Sequence, residues 1–247
     1  MKVASVEITT ACNLACGYCQ QAHTGEFMDE ATFRQVLGTC KESGYQAVAL
    51  GGGEPLLHPG VDDFLRLARK AGFITALTTN ATLPEKVYWL KDLDYLGVSC
   101  GKGEWETILK WGREAPFAIT AVILLTKGGL ETVGNQAVRA YSLGCRRFMF
   151  TSYKGDRQTY YPSREELALM LAVGAYLMQT TGAVVGIDAY TYRRLGLTED
   201  CRGDFVRFDV YGRRQACCFP ACEYYGEALG MIGFHGWWPV AGWLEGG

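Results

Sequence analysis

No stretch of this chain is long and apolar enough to span a bilayer. The longest apolar run, from Leu167 to Met178, falls well short of the roughly 20 residues a membrane helix needs. The opening MKVASVEITT has no apolar core of the kind a secretory signal carries. Nor is one sign of charge in excess: 24 Lys and Arg face 26 Asp and Glu, a net charge of −2 that gives no basic footprint for nucleic acid. No internal repeat or low-complexity segment is visible. What remains is an ordinary globular chain, expected in the cytoplasm with neither membrane nor nucleic acid as partner. Its 247 residues suit one large domain, or one domain and a small appendage, and at 49% apolar and 20% charged they can bury a substantial core.

Cysteine, by contrast, is plentiful, with ten residues. Disulfide scaffolds belong to short secreted chains. In a cytosolic protein, clustered cysteines read first as metal ligands or catalytic thiols. Two clusters stand out, Cys12, Cys16 and Cys19 near the start and Cys201, Cys217, Cys218 and Cys222 near the end.

Between the clusters the chain alternates. Short apolar, often β-branched segments predict strands over Val3–Thr9, Ala47–Leu50, Phe73–Thr78, Tyr95–Ser99, Phe117–Leu124, Arg147–Thr151 and Ala183–Ile187, read as buried on both faces. Helix-like segments of roughly 10 to 18 residues separate them. One carries Phe33, Val36, Leu37 and Cys40 at helical spacing, another Phe64, Leu65, Leu67 and Ala68. A third opens on the capping box Ser163–Glu166. Glycines 44, 72, 144 and 182 stand where helices should end. Repeated strand–helix units predict a parallel α/β sheet, a partial (β/α)6 TIM-like barrel that binds ligands beyond the carboxyl ends of its strands. This barrel is expected over 1–187. The remainder, 188–247, is expected to be a small extension built on a β-hairpin, with Val206–Val210 and Arg214–Cys218 flanking Tyr211 and Gly212.

Cys12, Cys16 and Cys19 lie in one tight loop directly after the first predicted strand. Three thiolates hold three corners of a cubane and leave its fourth iron open, whereas an electron-carrying cluster or a structural zinc ordinarily takes four protein ligands. A zinc site and incidental buried cysteines are the other readings. The second strand closes on Gly51-Gly52-Gly53-Glu54-Pro55, in which the glycines allow close approach of backbone or ligand and Glu54 can accept bonds from an ammonium group. A plain strand-to-loop turn is the alternative there.

Cys12-x3-Cys16-x2-Cys19 resembles the signature of the radical S-adenosylmethionine (SAM) superfamily. The resemblance implies the radical SAM type of partial barrel, with a [4Fe–4S] cluster whose open iron chelates SAM. It places Tyr18 near the adenine and likens Gly52, Gly53 and Glu54 to the motif that receives the SAM amino group. It brings Asn80, in Thr78-Thr79-Asn80, and Ser99, at the end of the fourth strand, to the same site, although a helix-capping role suits each equally. Cys100 follows Ser99 and is read either as a hydrogen-atom donor at the barrel mouth or as a small buried apolar residue. Cys40 and Cys145 sit in core-like contexts.

The spacing from Cys201 through Gly212 to Cys217 is similar to the opening of the SPASM and twitch extensions, which bind auxiliary iron–sulfur clusters. The cysteines after Cys217 are too few for two such clusters. One auxiliary [4Fe–4S] cluster on Cys201, Cys217 and Cys222 is implied, with Cys218 a poor fourth ligand because neighbouring residues rarely both reach one cubane. A zinc site or no metal are the alternatives. The resemblance implies an oxidoreductase or maturase that cleaves SAM reductively, drawing electrons from a flavodoxin or ferredoxin. It abstracts a substrate hydrogen atom and so oxidises, epimerises or crosslinks the substrate, with a peptide ahead of a sugar, aminocyclitol or nucleoside. The first strand starts at Val3, leaving no room ahead of it for a leader-binding domain, which weighs against the peptide without removing it. A non-catalytic iron–sulfur electron carrier is the reading from another class.

Overall fold

The structure is a computed structural model and describes residues 1–198 and 205–215. Its strands are β1 (Val3–Thr9), β2 (Ala47–Gly52), β3 (Ile74–Thr79), β4 (Tyr95–Ser99), β5 (Ala118–Leu125), β6 (Arg147–Ser152), β7 (Val184–Ile187), β8 (Phe205–Phe208) and β9 (Arg214–Gln215). The helices are α1 (Glu30–Glu42), α2 (Val61–Lys70), α3 (Pro84–Val87), α4 (Trp105–Trp111), α5 (Leu130–Ser142), α6 (Arg164–Thr181) and α7 (Ala189–Arg194).

Local chemistry sets these boundaries. Asp29 caps α1 by accepting from the Thr32 N–H, and the Ser163–Glu166 capping box at the start of α6 is formed in both directions. Gly44, Gly72 and Gly144 each take a left-handed conformation just past a helix. The N–H groups of Tyr45, Phe73 and Cys145 then reach back to Cys40, Ala68 and Ala140, closing Schellman-type ends. This explains why β3 starts at Ile74 rather than Phe73: the Phe73 N–H belongs to the helix cap and not to the ladder. The helices between β3 and β5 are shorter than the sequence pattern predicts. The segment from Asn80 to Asp94 holds only α3, and Ala81 and Asp92 take positive φ within it.

The sheet order is β7-β6-β5-β4-β3-β2-β1-β8-β9. Strands β1 to β8 pair in parallel, and only β9 runs antiparallel, against β8. The expected hairpin is present over Phe205–Phe208 and Arg214–Gln215, with 216–218 of its second arm outside the described residues, and its first arm also extends the parallel sheet, with Val3 opposite Phe205 and Val6 opposite Phe208. Asp209 organises its turn by accepting from the N–H groups of Tyr211 and Arg213, at 3.0 and 2.9 Å. Among the described residues the two ends of the sheet are not paired with each other, and the barrel is partial.

One face of the sheet is packed under the helices, with Val6, Leu50, Leu77, Val98, Ile123 and Phe150 in one continuous core. The other face meets the expectation of strands apolar on both sides only in part. Alternation along the strands puts Val3, Ile74, Tyr95, Val122, Leu124, Met149 and Phe205 on it, but also Ser5, Glu7, Gly51, Thr78, Gly97, Ser99, Thr120, Thr151 and Arg207. A complete barrel fills its interior with bulky branched side chains. Here bulky side chains such as Ile74, Tyr95 and Phe205 fill the amino end of the inner face, while toward the carboxyl ends most residues (Glu7, Gly51, Thr78, Ser99 and Thr151) are small or polar, a trough able to admit ligands at that end. Glu7 and Arg207 pair across it from β1 and β8 at 3.1 Å.

Buried His58 ties the loop after β2 to the start of α1. Its Nε2 donates to the Met28 carbonyl at 2.9 Å, and its Nδ1 accepts from the Gly60 N–H at 3.0 Å. The second bond requires an unprotonated Nδ1 and so the neutral ring. Burial holds its pKa below the ordinary 6.5. A histidine kept neutral in the fold contributes its full stability above the unfolded pKa and loses it as pH falls through and below that value. The melting temperature should therefore drop between pH 7 and pH 5, and His58→Gln should flatten that slope in thermal melts run across the range.

Candidate active site at the carboxyl edge of the sheet

The chain leaves β1 into a loop whose two ends are held together. The Thr9 hydroxyl and the Thr10 N–H both donate to the Glu26 carbonyl, at 2.7 and 3.0 Å, and the Glu26 N–H returns to the Thr10 hydroxyl at 2.8 Å. Cys12, Cys16 and Cys19 lie inside this closed loop as free, half-buried thiols. A turn bond from the Cys19 N–H to the Cys16 carbonyl, at 2.9 Å, curls the segment between them. His23 approaches the Cys19 sulfur at 3.6 Å. Burial beside Cys16 and Cys19 pushes the Tyr18 hydroxyl up to about 12, so it stays neutral at physiological pH.

The glycine segment is spliced onto the exit of β1. The Gly53 N–H bonds the Thr9 carbonyl at 2.9 Å, and the Glu54 N–H bonds the Ala11 carbonyl at 2.8 Å, one residue before Cys12. A Cβ on Gly52 would lie 2.1 Å from the Thr9 carbonyl oxygen, and one on Gly53 would lie 2.1 Å from that of Ala11. No side chain fits between these backbones. Gly53→Ala must push the Ala11–Cys12 peptide aside. The expected result is a several-fold loss of iron retained after reconstitution, measured by iron analysis, with the parallel sheet intact by circular dichroism.

Glu54 is fully buried. Its carboxylate accepts from the Leu56 N–H at 3.1 Å, the Thr79 hydroxyl at 2.9 Å and the Asn80 N–H at 2.6 Å, joining the ends of β2 and β3. Burial raises its pKa, and these bonds together with the Lys86 charge pull it back. Asn80 extends the chain of contacts: its side-chain Nδ2 reaches the Cys12 sulfur at 3.8 Å and the Asn13 side-chain oxygen at 3.0 Å. Asn13 in turn donates to Thr82 at 2.7 Å. The sequence reading missed Asn13 and Thr82, which belong to no motif, and it named Thr79 only as part of Thr78-Thr79-Asn80; their contacts form only in the fold.

Ser99 ends β4 on the inner face, half-buried. Cys100 does not share its position, and of its two readings the structure supports the small buried residue over a thiol at the mouth. It belongs to the helix-packed core, where burial raises its pKa. One residue along a strand reverses the direction of the side chain. Cys40 and Cys145 are core residues too. Cys201, Cys217, Cys218 and Cys222 lie outside the described residues.

Among the described residues, no three His, Cys, Asp or Glu side chains gather as closely as a single metal ion requires. The donor set on the first loop instead suits a larger group. It offers three free thiols spread along one turn, a supporting amide at one of them, and, beyond, an inner face whose carboxyl end carries mostly small or polar side chains. This donor set fits a [4Fe–4S] cluster carried on three protein sulfurs.

A parallel partial barrel with a three-cysteine loop at its carboxyl edge defines a class of cluster-carrying α/β proteins. The radical SAM superfamily model matches residues 6–133, and the chain belongs to that superfamily. The chain is 27% identical over 245 residues to a PqqA peptide cyclase of Xanthomonas campestris pv. campestris, an alignment covering 86% of this chain and 60% of that protein. The chain thus spans about three fifths of the length of this relative. Among solved structures, SuiB of Streptococcus suis bound to precursor peptide SuiA superposes with a TM-score of 0.71 at 14% identity, over 93% of this chain and 61% of that one. The enzyme anSMEcpe, with bound AdoMet and a peptide, superposes with a TM-score of 0.68 at 17% identity, over 91% and 76%. At these identities the superpositions establish a shared fold. No helix among the described residues is long and apolar enough to cross a membrane.

Proposed function

We propose that this protein is a radical SAM enzyme acting on a peptide, with its cluster on Cys12, Cys16 and Cys19. A [4Fe–4S] cluster held there would supply the electron for reductive cleavage of SAM, and with it hydrogen-atom abstraction from the substrate. The observation that carries the reading is the path of contacts from Glu54 through Asn80 to Cys12, which joins the glycine motif to the cysteine loop. Tyr18, Gly52, Gly53, Asn80 and Ser99 are assigned to the SAM site. Glu54 first supports that site by holding Asn80. Three of the roughly four lone-pair positions of its carboxylate are used internally, leaving one for the amino group of SAM. The trough of small inner-face residues takes the substrate.

Peptide as substrate is supported by the relatives: one is named a PqqA peptide cyclase, and two superposed structures hold peptides. Oxidation, epimerisation or crosslinking of the peptide, a flavodoxin or ferredoxin as reductant, and a cytoplasmic location complete the reading. So does an auxiliary [4Fe–4S] cluster on Cys201, Cys217 and Cys222 in a 188–247 extension beyond a barrel at 1–187, supported by sequence spacing.

Anaerobic reconstitution followed by dithionite and SAM tests the core of it. Formation of 5′-deoxyadenosine is expected; a redox-active cluster without that product would make the protein an electron carrier. A short precursor peptide encoded beside the gene, modified by the reconstituted enzyme, is the expected substrate.

A further inference from the structure

Strands β1 and β6 stand apart in the sheet, with β2 to β5 between them. The loops leaving their carboxyl ends are nevertheless joined. Gln20, one residue past Cys19, donates to the Tyr153 hydroxyl at 2.8 Å. Arg157 donates from its guanidinium to the Gly17 carbonyl, in the peptide that joins Gly17 to Tyr18 between Cys16 and Cys19. The Tyr18 and Tyr160 rings meet edge to face at 6.4 Å. A Cβ on Gly17 would lie 2.8 Å from the Tyr160 hydroxyl, and one on Gly155 would lie 2.4 Å from that of Tyr153.

The β6 loop is itself braced. Its Tyr153 ring packs against those of Tyr160 and Tyr161, each at 5.4 Å. The Arg157 N–H returns to the Tyr153 hydroxyl at 3.2 Å. The Lys127 N–H, just beyond β5, holds the Tyr160 carbonyl at 2.9 Å. A rigid arm from the far side of the trough therefore ends on the backbone between Cys16 and Cys19.

We infer that the segment 153–161 is a clasp that closes the partial barrel over its mouth, and that Arg157 and Tyr160 are positioning residues for the three-cysteine loop. The clasp does what the unpaired sheet ends do not. It fixes the distance from β1 to β6 and holds the Gly17 peptide still while the flanking thiols carry their cluster. The Arg157 cation is exposed and adds little to global stability. Beside the ligand loop it acts on the cluster instead, because cluster potential follows nearby charge and hydrogen bonding. The inference rests on the cluster reading proposed above.

The test uses the anaerobically reconstituted protein and three readouts: the midpoint potential of the cluster, the change in its spin-resonance signal on adding SAM, and the rate of iron loss to a chelator. Arg157→Ala is expected to move the potential more negative and to speed iron loss several-fold, with the melting temperature of the apoprotein unchanged. Arg157→Lys, which keeps the charge, should restore the potential. Gly17→Ala should speed iron loss by displacing Tyr160, and Tyr160→Phe in the same chain should reverse this by removing the crowding oxygen. Unchanged potential and iron loss in Arg157→Ala, with no rescue in the Gly17/Tyr160 pair, overturns the clasp. If the wild-type protein takes up no cluster, the cluster reading fails on its own. Hydrogen exchange over residues 12–26 then decides the clasp: lowered protection in Arg157→Ala upholds it, and unchanged protection overturns it.

Discussion

Cys16→Ala should reduce 5′-deoxyadenosine formation to background and remove the iron carried by the first loop. The reason is coordination: three sulfurs are the whole protein contribution to that cluster, and the loop around them offers no fourth cysteine. If the auxiliary cluster exists, iron should fall from about eight to about four per chain, and a Cys201→Ala/Cys217→Ala variant should show the complementary loss while keeping the first cluster. Cys40→Ala is the matched control. Cys40 is also a thiol, but it is fully buried in the core and burial pushes its pKa up to about 12. Its replacement should leave iron content and SAM cleavage unchanged and cost only a modest amount of stability through lost packing. Normal product formation by Cys16→Ala would remove the proposed mechanism.

Glu54→Ala should destabilise the apoprotein by about 3 kcal/mol or more, since it leaves the Leu56 N–H, the Asn80 N–H and the Thr79 hydroxyl without their acceptor in a buried site. That is a large share of the stability of an ordinary domain. Part of the loss is offset because a carboxylate no longer has to be buried, as the raised pKa of Glu54 signals. Glu54→Gln separates the two contributions. Its amide oxygen can still accept from Leu56 and Thr79, but its amide nitrogen then faces the Asn80 N–H, donor against donor. A smaller loss of about 1–2 kcal/mol is expected, concentrated on Asn80 and so on Cys12. Urea unfolding of the three proteins gives the stabilities, and iron retention after reconstitution reports the second effect. A Glu54→Ala protein as stable as the wild type would show that the link between β2 and β3 carries no weight.

These two residues also show how far the sequence is legible. Cys16 was read from the three-cysteine spacing together with its place after the first strand and the glycine motif beyond; thiolates that share a cluster must sit in one short loop, and that constraint is local. Glu54 was identified as a motif residue, but its bonds to Thr79 and Asn80 were not visible. They cross from one strand end to the next, and the Thr78-Thr79-Asn80 segment, though it resembled a site motif, did not reveal that a carboxylate holds it. Cys100 shows the opposite limit. It adjoins a site residue in sequence, yet pleating turns its side chain into the core. The segment Val206–Val210 likewise read as one arm of a hairpin, and Phe205–Phe208 forms that arm. Nothing in its sequence announced that it would also pair in parallel with β1, some two hundred residues earlier.

The amino-acid sequence by itself determined the alternation of strand and helix, the helix ends at their caps and glycines, the parallel sheet, and the cysteine loop with its superfamily. Each of these depends on interactions within a few residues, or on a periodicity that burial imposes along one element. Tertiary structure decided the rest: the trough of small and polar side chains on the inner face, the carboxylate that knits two strand ends behind the cysteine loop, and the arm from β6 that reaches Gly17. These arise where segments far apart in the chain approach within a hydrogen bond of each other. Their positions follow from the curvature of the whole sheet, a property that no local pattern of residues records.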